Sequence, residues 1–110
     1  MKRYEGRREG YAFVVTVNER PLNPRLDLWK HSPTGFECGY GGSGPAQLAL
    51  ALLAKHLGDD ERAVALHQDF KWALVAKLPR TGWTLTSAQI QQALDSIAAK
   101  SRQSAAEINV

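Results

Sequence analysis

GYGGSGPAQLALALLAKHLG, residues 39–58, holds four glycines in its first six positions, and an almost uninterrupted apolar run follows Pro45. A glycine-rich turn that opens a helix can present backbone N–H groups to an anion, or it can let a bulky helix lie close to a sheet. The phosphate-binding signatures fit poorly here. No lysine follows the last glycine, as a P-loop requires, and Pro45 lacks an amide proton. Gly39, Gly41 and Gly44 do reproduce the spacing G-x-G-x-x-G, but after a weak strand and outside any βαβ unit. The stretch therefore reads first as a structural hinge, with anion contact and a catalytic loop as the alternatives. Tyr40 and Ser43 are its hydroxyl-bearing side chains and its candidate ligand contacts.

Working outward, Pro45 suits a first helical position, with Ser43 or Gly44 as the cap. Residues 46–54 leave almost no polar face, so this helix is expected to be the most buried one, over 45–57. Gly58 supplies a left-handed C-terminal residue. Asp59 or Asp60 then caps a second helix to about Lys77, with Ala63, Leu66, Phe70 and Leu74 as its apolar stripe, and Pro79 stops it. Trp72 points about 200° away from Phe70 around that helix. Either the helix is buried on two sides or Trp72 stands on an exposed binding face. Thr86 with Gln89 forms a capping box for a third helix, in which Ile90, Ala93, Leu94 and Ile97 share a face. Residues 1–100 read as one domain and 101–110 as a frayed tail.

Before the glycines, residues 11–17 alternate as a strand, with Tyr11, Phe13, Val15 and Val17 on one side. NERP (18–21) reads as a turn, residues 22–29 as a returning strand bent at Pro24, and FECGY (36–40) as a short third strand. GWTLT (82–86) is extended. The order implies an α+β fold, a small antiparallel sheet of about three N-terminal strands packed against about three helices.

The chain has 110 residues and a net charge of +3. Residues 1–31 carry all of that excess, with seven Lys/Arg against four acids. If nucleic acid binds, Arg3, Arg7, Arg8, Arg20, Arg25 and Lys30 are the candidate phosphate contacts. Trp29 beside Lys30, Trp72 beside Lys71 and Trp83 near Arg80 pair an aromatic with a cation, an arrangement suited to single-stranded nucleic acid, or else to aromatics that fill or rim the core beside snorkelling cations. No apolar run reaches membrane-spanning length, and no signal core follows the basic N-terminus. A single cysteine, Cys38, fits a reducing compartment. The expected location is cytoplasmic, with no membrane partner. His31, His56 and His67 have no metal-ligand spacing, and nothing in the sequence brings Cys38 to a histidine. No metal, no cofactor and no catalytic residues are expected.

HSPTGFECGYGGSGPAQLALALL (31–53), HQDFKWALVAKLP (67–79) and GWTLTSAQI (82–90) together resemble an uncharacterised domain family of bacterial, archaeal and phage genomes. The resemblance spans roughly residues 4–97. Members often carry tryptophan where this chain has Cys38, and Asn-Gly where it has Asn18-Glu19, which suggests a looser or longer first turn here. The family brings no catalytic residues to transfer. It implies a mobile-element setting, in which small proteins often act by binding host machinery. The expected function is thus a non-enzymatic binding protein, an accessory or anti-defence factor of the anti-CRISPR kind, that engages a host protein or nucleoprotein complex. The alternatives are a nucleic-acid-binding module using the basic N-terminal third, and a small nucleotide- or phosphate-binding protein at the glycine loop.

Overall fold

The computed structural model describes residues 1–108, and the side-chain surroundings of residues 1–101. The elements run β1 (Arg3–Glu9), β2 (Ala12–Val17), β3 (Arg20–Pro21), α1 (Ser43–Leu57), α2 (Asp60–Ala73), a 3-10 turn (Val75–Lys77), β4 (Gly82–Thr86) and α3 (Ser87–Ile108). The sheet is antiparallel throughout, in the order β3-β2-β1-β4. The fold is α+β as expected, with four strands rather than three. No helix among the described residues is long and apolar enough to cross a membrane.

The strand missing from the sequence reading is β1, the centre of the sheet. Its core-side positions are Tyr4, Gly6 and Arg8, which hide the alternation. Gly6 is small because the rings of Trp83 and Phe13 occupy the place of its side chain, at 2.5 and 2.7 Å from an ideal Cβ. Arg8 lies over the Phe13 ring, 4.9 Å from its centroid. On the outer face Arg3, Glu5, Arg7 and Glu9 alternate in sign, and ion pairs join Arg3 to Glu5 and Arg7 to Glu9. GWTLT pairs with β1, Tyr4 opposite Leu85, so the extended segment is the fourth strand.

The hairpins differ from expectation in detail. Glu9 pairs with Ala12, so Gly10 (φ 60°) and Tyr11 form the turn, and Tyr11 is fully exposed instead of facing the core. Val17 pairs with Arg20, leaving a tight turn at Asn18 (φ 48°) and Glu19 (φ 70°), not a looser one. Asn18 holds it: its Oδ1 accepts from Arg3 N at 2.9 Å and its N–H donates to Arg3 O at 2.8 Å. Glu19 bears the left-handed strain that glycine would avoid.

Neither 22–29 nor 36–40 is a strand. Pro21 and Pro24 interrupt the amide donors a ladder needs. Arg25 turns at φ 57°, with Leu28 N donating to its carbonyl at 3.0 Å. The whole of 22–42 is an irregular excursion, unusually long for a connection inside a compact domain.

α1 is buried throughout Gly44–Ala54, and its leucines share one core with Tyr4, Phe13, Val15, Val17, Phe70, Leu85 and Ile90. Gly42 is its N-cap, so Pro45 sits in the third helical position, where its missing N–H is still harmless. Gly58 closes it at φ 64°. Asp59 caps α2, accepting from Arg62 N. α2 ends at Ala73, before the expected Lys77, and a 3-10 turn completes the stretch. Thr86 and Gln89 form the expected capping box, Gln89 Oε1 accepting from Thr86 N at 2.9 Å and Thr86 Oγ1 from Gln89 N at 3.3 Å. The frayed tail expected from 101 is helical as far as Ile108, and residues 109–110 lie outside the described residues.

One polar side chain interrupts the apolar length of α1. Gln47 is fully buried and makes four hydrogen bonds to the excursion. Its amide donates to Pro24 O at 2.6 Å and Trp29 O at 3.0 Å. Its oxygen accepts from His31 N at 2.7 Å and Ser32 N at 3.1 Å. Gln47→Leu keeps the volume but strands these four backbone groups. It is expected to cost about 3 kcal/mol or more, since each unsatisfied buried group costs about 1–3 kcal/mol. Chemical denaturation checks this; a loss below about 1 kcal/mol would show that Gln47 does not clamp the segment.

Candidate functional site

The clamp places Trp29 and His31 against α2. Trp29 stacks on His31, ring centroids 5.2 Å apart and planes 6° from parallel. His31 Nε2 lies 2.9 Å from Nε2 of His67, which is 2% exposed. His67 Nδ1 is 2.6 Å from Val64 O, a carbonyl that only accepts. The proton is therefore on Nδ1, and in the neutral pair His31 Nε2–H donates to His67 Nε2. Burial, the second imidazole and Lys71 all hold the His31 pKa below its ordinary value. The sequence shows these histidines as unrelated because the contact spans two separate elements.

One turn beyond His67, the buried Lys71 donates to Gly41 O at 3.2 Å, and its Nζ stands 4.5 Å from the centre of the Trp72 ring. Trp72 rests on Gly41, whose ideal Cβ would come within 2.0 Å of the indole. The Tyr40 ring covers Gly42 in the same way, at 2.4 Å, and Arg80 lies over that ring at 4.9 Å. Glu37 fills the space beside Gly44. Of the four glycines only Gly39 has a positive φ, 83°. The others are glycine because side chains occupy their Cβ positions. The loop is thus a seat for Trp72 and Tyr40.

These contacts make a cluster in two parts, Trp29, His31 and His67 in one and Lys71, Trp72, Gly41, Gly42, Tyr40 and Arg80 in the other, each joined to α2. The three large aromatics of the cluster are exposed, Trp29 by 52%, Tyr40 by 41% and Trp72 by 59%. A groove of about 500 Å³ opens beside Trp72, lined also by Asp69, Lys77, Ile97 and Lys100.

The other sequence candidates lie elsewhere or are already engaged. Arg8 grips Glu37 through both guanidinium ends, at 2.7 and 2.9 Å, and donates to Arg80 O. That pairing raises the Arg8 pKa and lowers that of Glu37. Arg25 binds Asp27 and Asp60, tying the excursion to the start of α2, and its pKa is raised by those two hydrogen-bonded carboxylates. Arg7 pairs with Glu9 on the outer face of the sheet. Arg20 and Lys30 are exposed on β3 and in the excursion, and Ser43 is exposed at the first position of α1. The fully buried Cys38 has its thiol 3.5 Å from Pro79 O, and burial raises its pKa. No histidine is its hydrogen-bond partner. Among the described residues no three His, Cys, Asp or Glu side chains converge as a metal-binding group.

Residues 4–96 match the family of unknown function DUF6166, and the chain belongs to that family. No curated protein matches it. No solved structure matches it either.

Seating Trp72 on Gly41 couples the two positions. Gly41→Ala is expected to cost about 1–3 kcal/mol in the intact protein, the usual range for overpacking. In a Trp72→Ala background the same substitution should cost almost nothing. Equal costs in the two backgrounds, read by thermal or chemical denaturation, would show that the ring does not determine the glycine.

Proposed function

We propose that this member of DUF6166 is a non-enzymatic binding protein that engages a host protein, alone or within a nucleoprotein complex. Its contact surface is formed by Trp29, Tyr40 and Trp72 with Arg80. The observation that carries this reading is the mounting of the rings: three exposed aromatics are each held by a specific neighbour, on His31, Gly42 and Gly41. Trp, Tyr and Arg dominate the energetics of protein interfaces, and rings fixed before contact lose little entropy on binding. The sequence resemblance suggests a mobile-element setting for such a protein, where an anti-defence role of the anti-CRISPR kind is one concrete form.

The alternative at the N-terminal third receives less support. A phosphate-binding strip needs cations free to approach the backbone. Here Arg3 and Arg7 alternate with Glu5 and Glu9, while Arg8 and Arg25 are committed to internal carboxylates. A phosphate at the glycine loop would have to displace Tyr40 or Trp72 from the backbone they cover. The buried thiol of Cys38 and its carbonyl contact give no support to a cysteine nucleophile.

Nuclease-treated host lysate passed over the immobilised protein should retain a partner on the wild type. A Trp29→Ala/Trp72→Ala variant with a native far-ultraviolet spectrum should retain far less of it. Loss of the partner on nuclease treatment, or equal retention by the variant, would overturn the proposal.

A further inference from the structure

The pairing of two imidazoles at the base of Trp29 makes the face conditional on their protonation. We propose that His31 and His67 form a proton-sensitive latch that holds Trp29 in place while the pair is neutral or singly protonated, and releases it when both rings are charged. This rests on the reading of Trp29 as part of a partner surface and adds its regulation.

Proton positions carry the argument. With His67 Nδ1–H committed to Val64 O, the link between the rings is the single hydrogen bond from His31 Nε2–H to His67 Nε2. The first added proton can go to His31 Nδ1 and leaves that bond intact. The second has only His67 Nε2 to occupy, and it removes the acceptor. Two cations would then face each other across 2.9 Å, one of them almost fully buried.

The surroundings do nothing to relieve that charge. From α2 the facing ionised group is Lys71, itself buried. From α1 the neighbouring polar group is Gln47, which is neutral and already fully hydrogen-bonded. From the excursion the neighbour is Trp29, which is uncharged. The carboxylates of α2, Asp60, Glu61 and Asp69, are exposed, and Asp60 is bound to Arg25. No acid among the described residues pairs with His31, His67 or Lys71. His31 therefore resists protonation more than free imidazole does. Its stabilising contribution is present above the ordinary imidazole value of 6.5 and is lost as pH falls below it.

Histidine ring-proton resonances of the full-length protein, followed by NMR from pH 8 to about pH 4.5, test the latch without any partner. The expected result is two separate protonation steps. The indole resonance of Trp29 should shift to its random-coil position with the second step, while the signals of α1 stay native. In His67→Phe the Trp29 shift should vanish. His31→Phe, on the more exposed side of the pair, serves the same purpose if His67→Phe disturbs α2. The latch is overturned if Trp29 does not move in the wild type, if it moves equally in the variants, or if it moves only with global unfolding. The nuclease-treated capture at neutral pH stands apart: it can fail while the latch is seen, and the latch can fail while capture succeeds.

Discussion

A single buried carboxamide organises the surface of this protein. α1 runs through the core with leucine and alanine on every side, and Gln47 is its polar exception. A neutral amide with two donors and two acceptor sites is costly to bury unless all four are met. Here they are met by Pro24, Trp29, His31 and Ser32, all on one irregular segment. The segment in turn needs Gln47, because it has no strand or helix partner for those backbone groups. Each side satisfies the other, and the arrangement fixes where Trp29 and His31 sit.

The rest of the surface follows from that placement. His31 meets His67, Arg25 meets Asp60, and both contacts tie the excursion to α2. Further along, the glycine loop accepts Lys71 and Trp72 from the same helix. Aromatic rings that would be mobile on an ordinary loop are thus held from below by the most buried helix and from the side by α2. The sheet supplies the core wall and the Arg8–Glu37 clamp, while its outer face is a row of alternating charges.

The helices were readable from the sequence because their signals are local. Gly58, Asp59 and the Thr86–Gln89 box act within a few residues of themselves, and the apolar run of α1 needs no partner to be recognised. β1 was not readable, because Gly6 and Arg8 stand where alternation calls for apolar side chains, and only Trp83, Phe13 and Glu37 explain them. The glycine cluster reads in the sequence as a hinge between a strand and α1, but no strand precedes it; its glycines are crowded by the neighbouring Tyr40 and by Trp72 of α2, and the second of these contacts is long-range. Trp29, Tyr40 and Trp72 were picked out individually. The His31–His67 and Lys71–Gly41 contacts that tie their surroundings to α2 could not be read, since both are long-range. Arg8 and Arg25 were misleading for the same reason: their carboxylate partners lie on other elements.

The central claim is that the excursion is as firmly held as the core that clamps it. Native-state hydrogen exchange at the amides of His31 and Ser32, both bonded to Gln47 Oε1, measures this most directly. The clamp predicts that the two amides exchange only through the same large-scale unfolding that exposes the amides of α1. Fast exchange at His31 and Ser32 while α1 stays protected would show that the segment opens by itself, and would contradict the account.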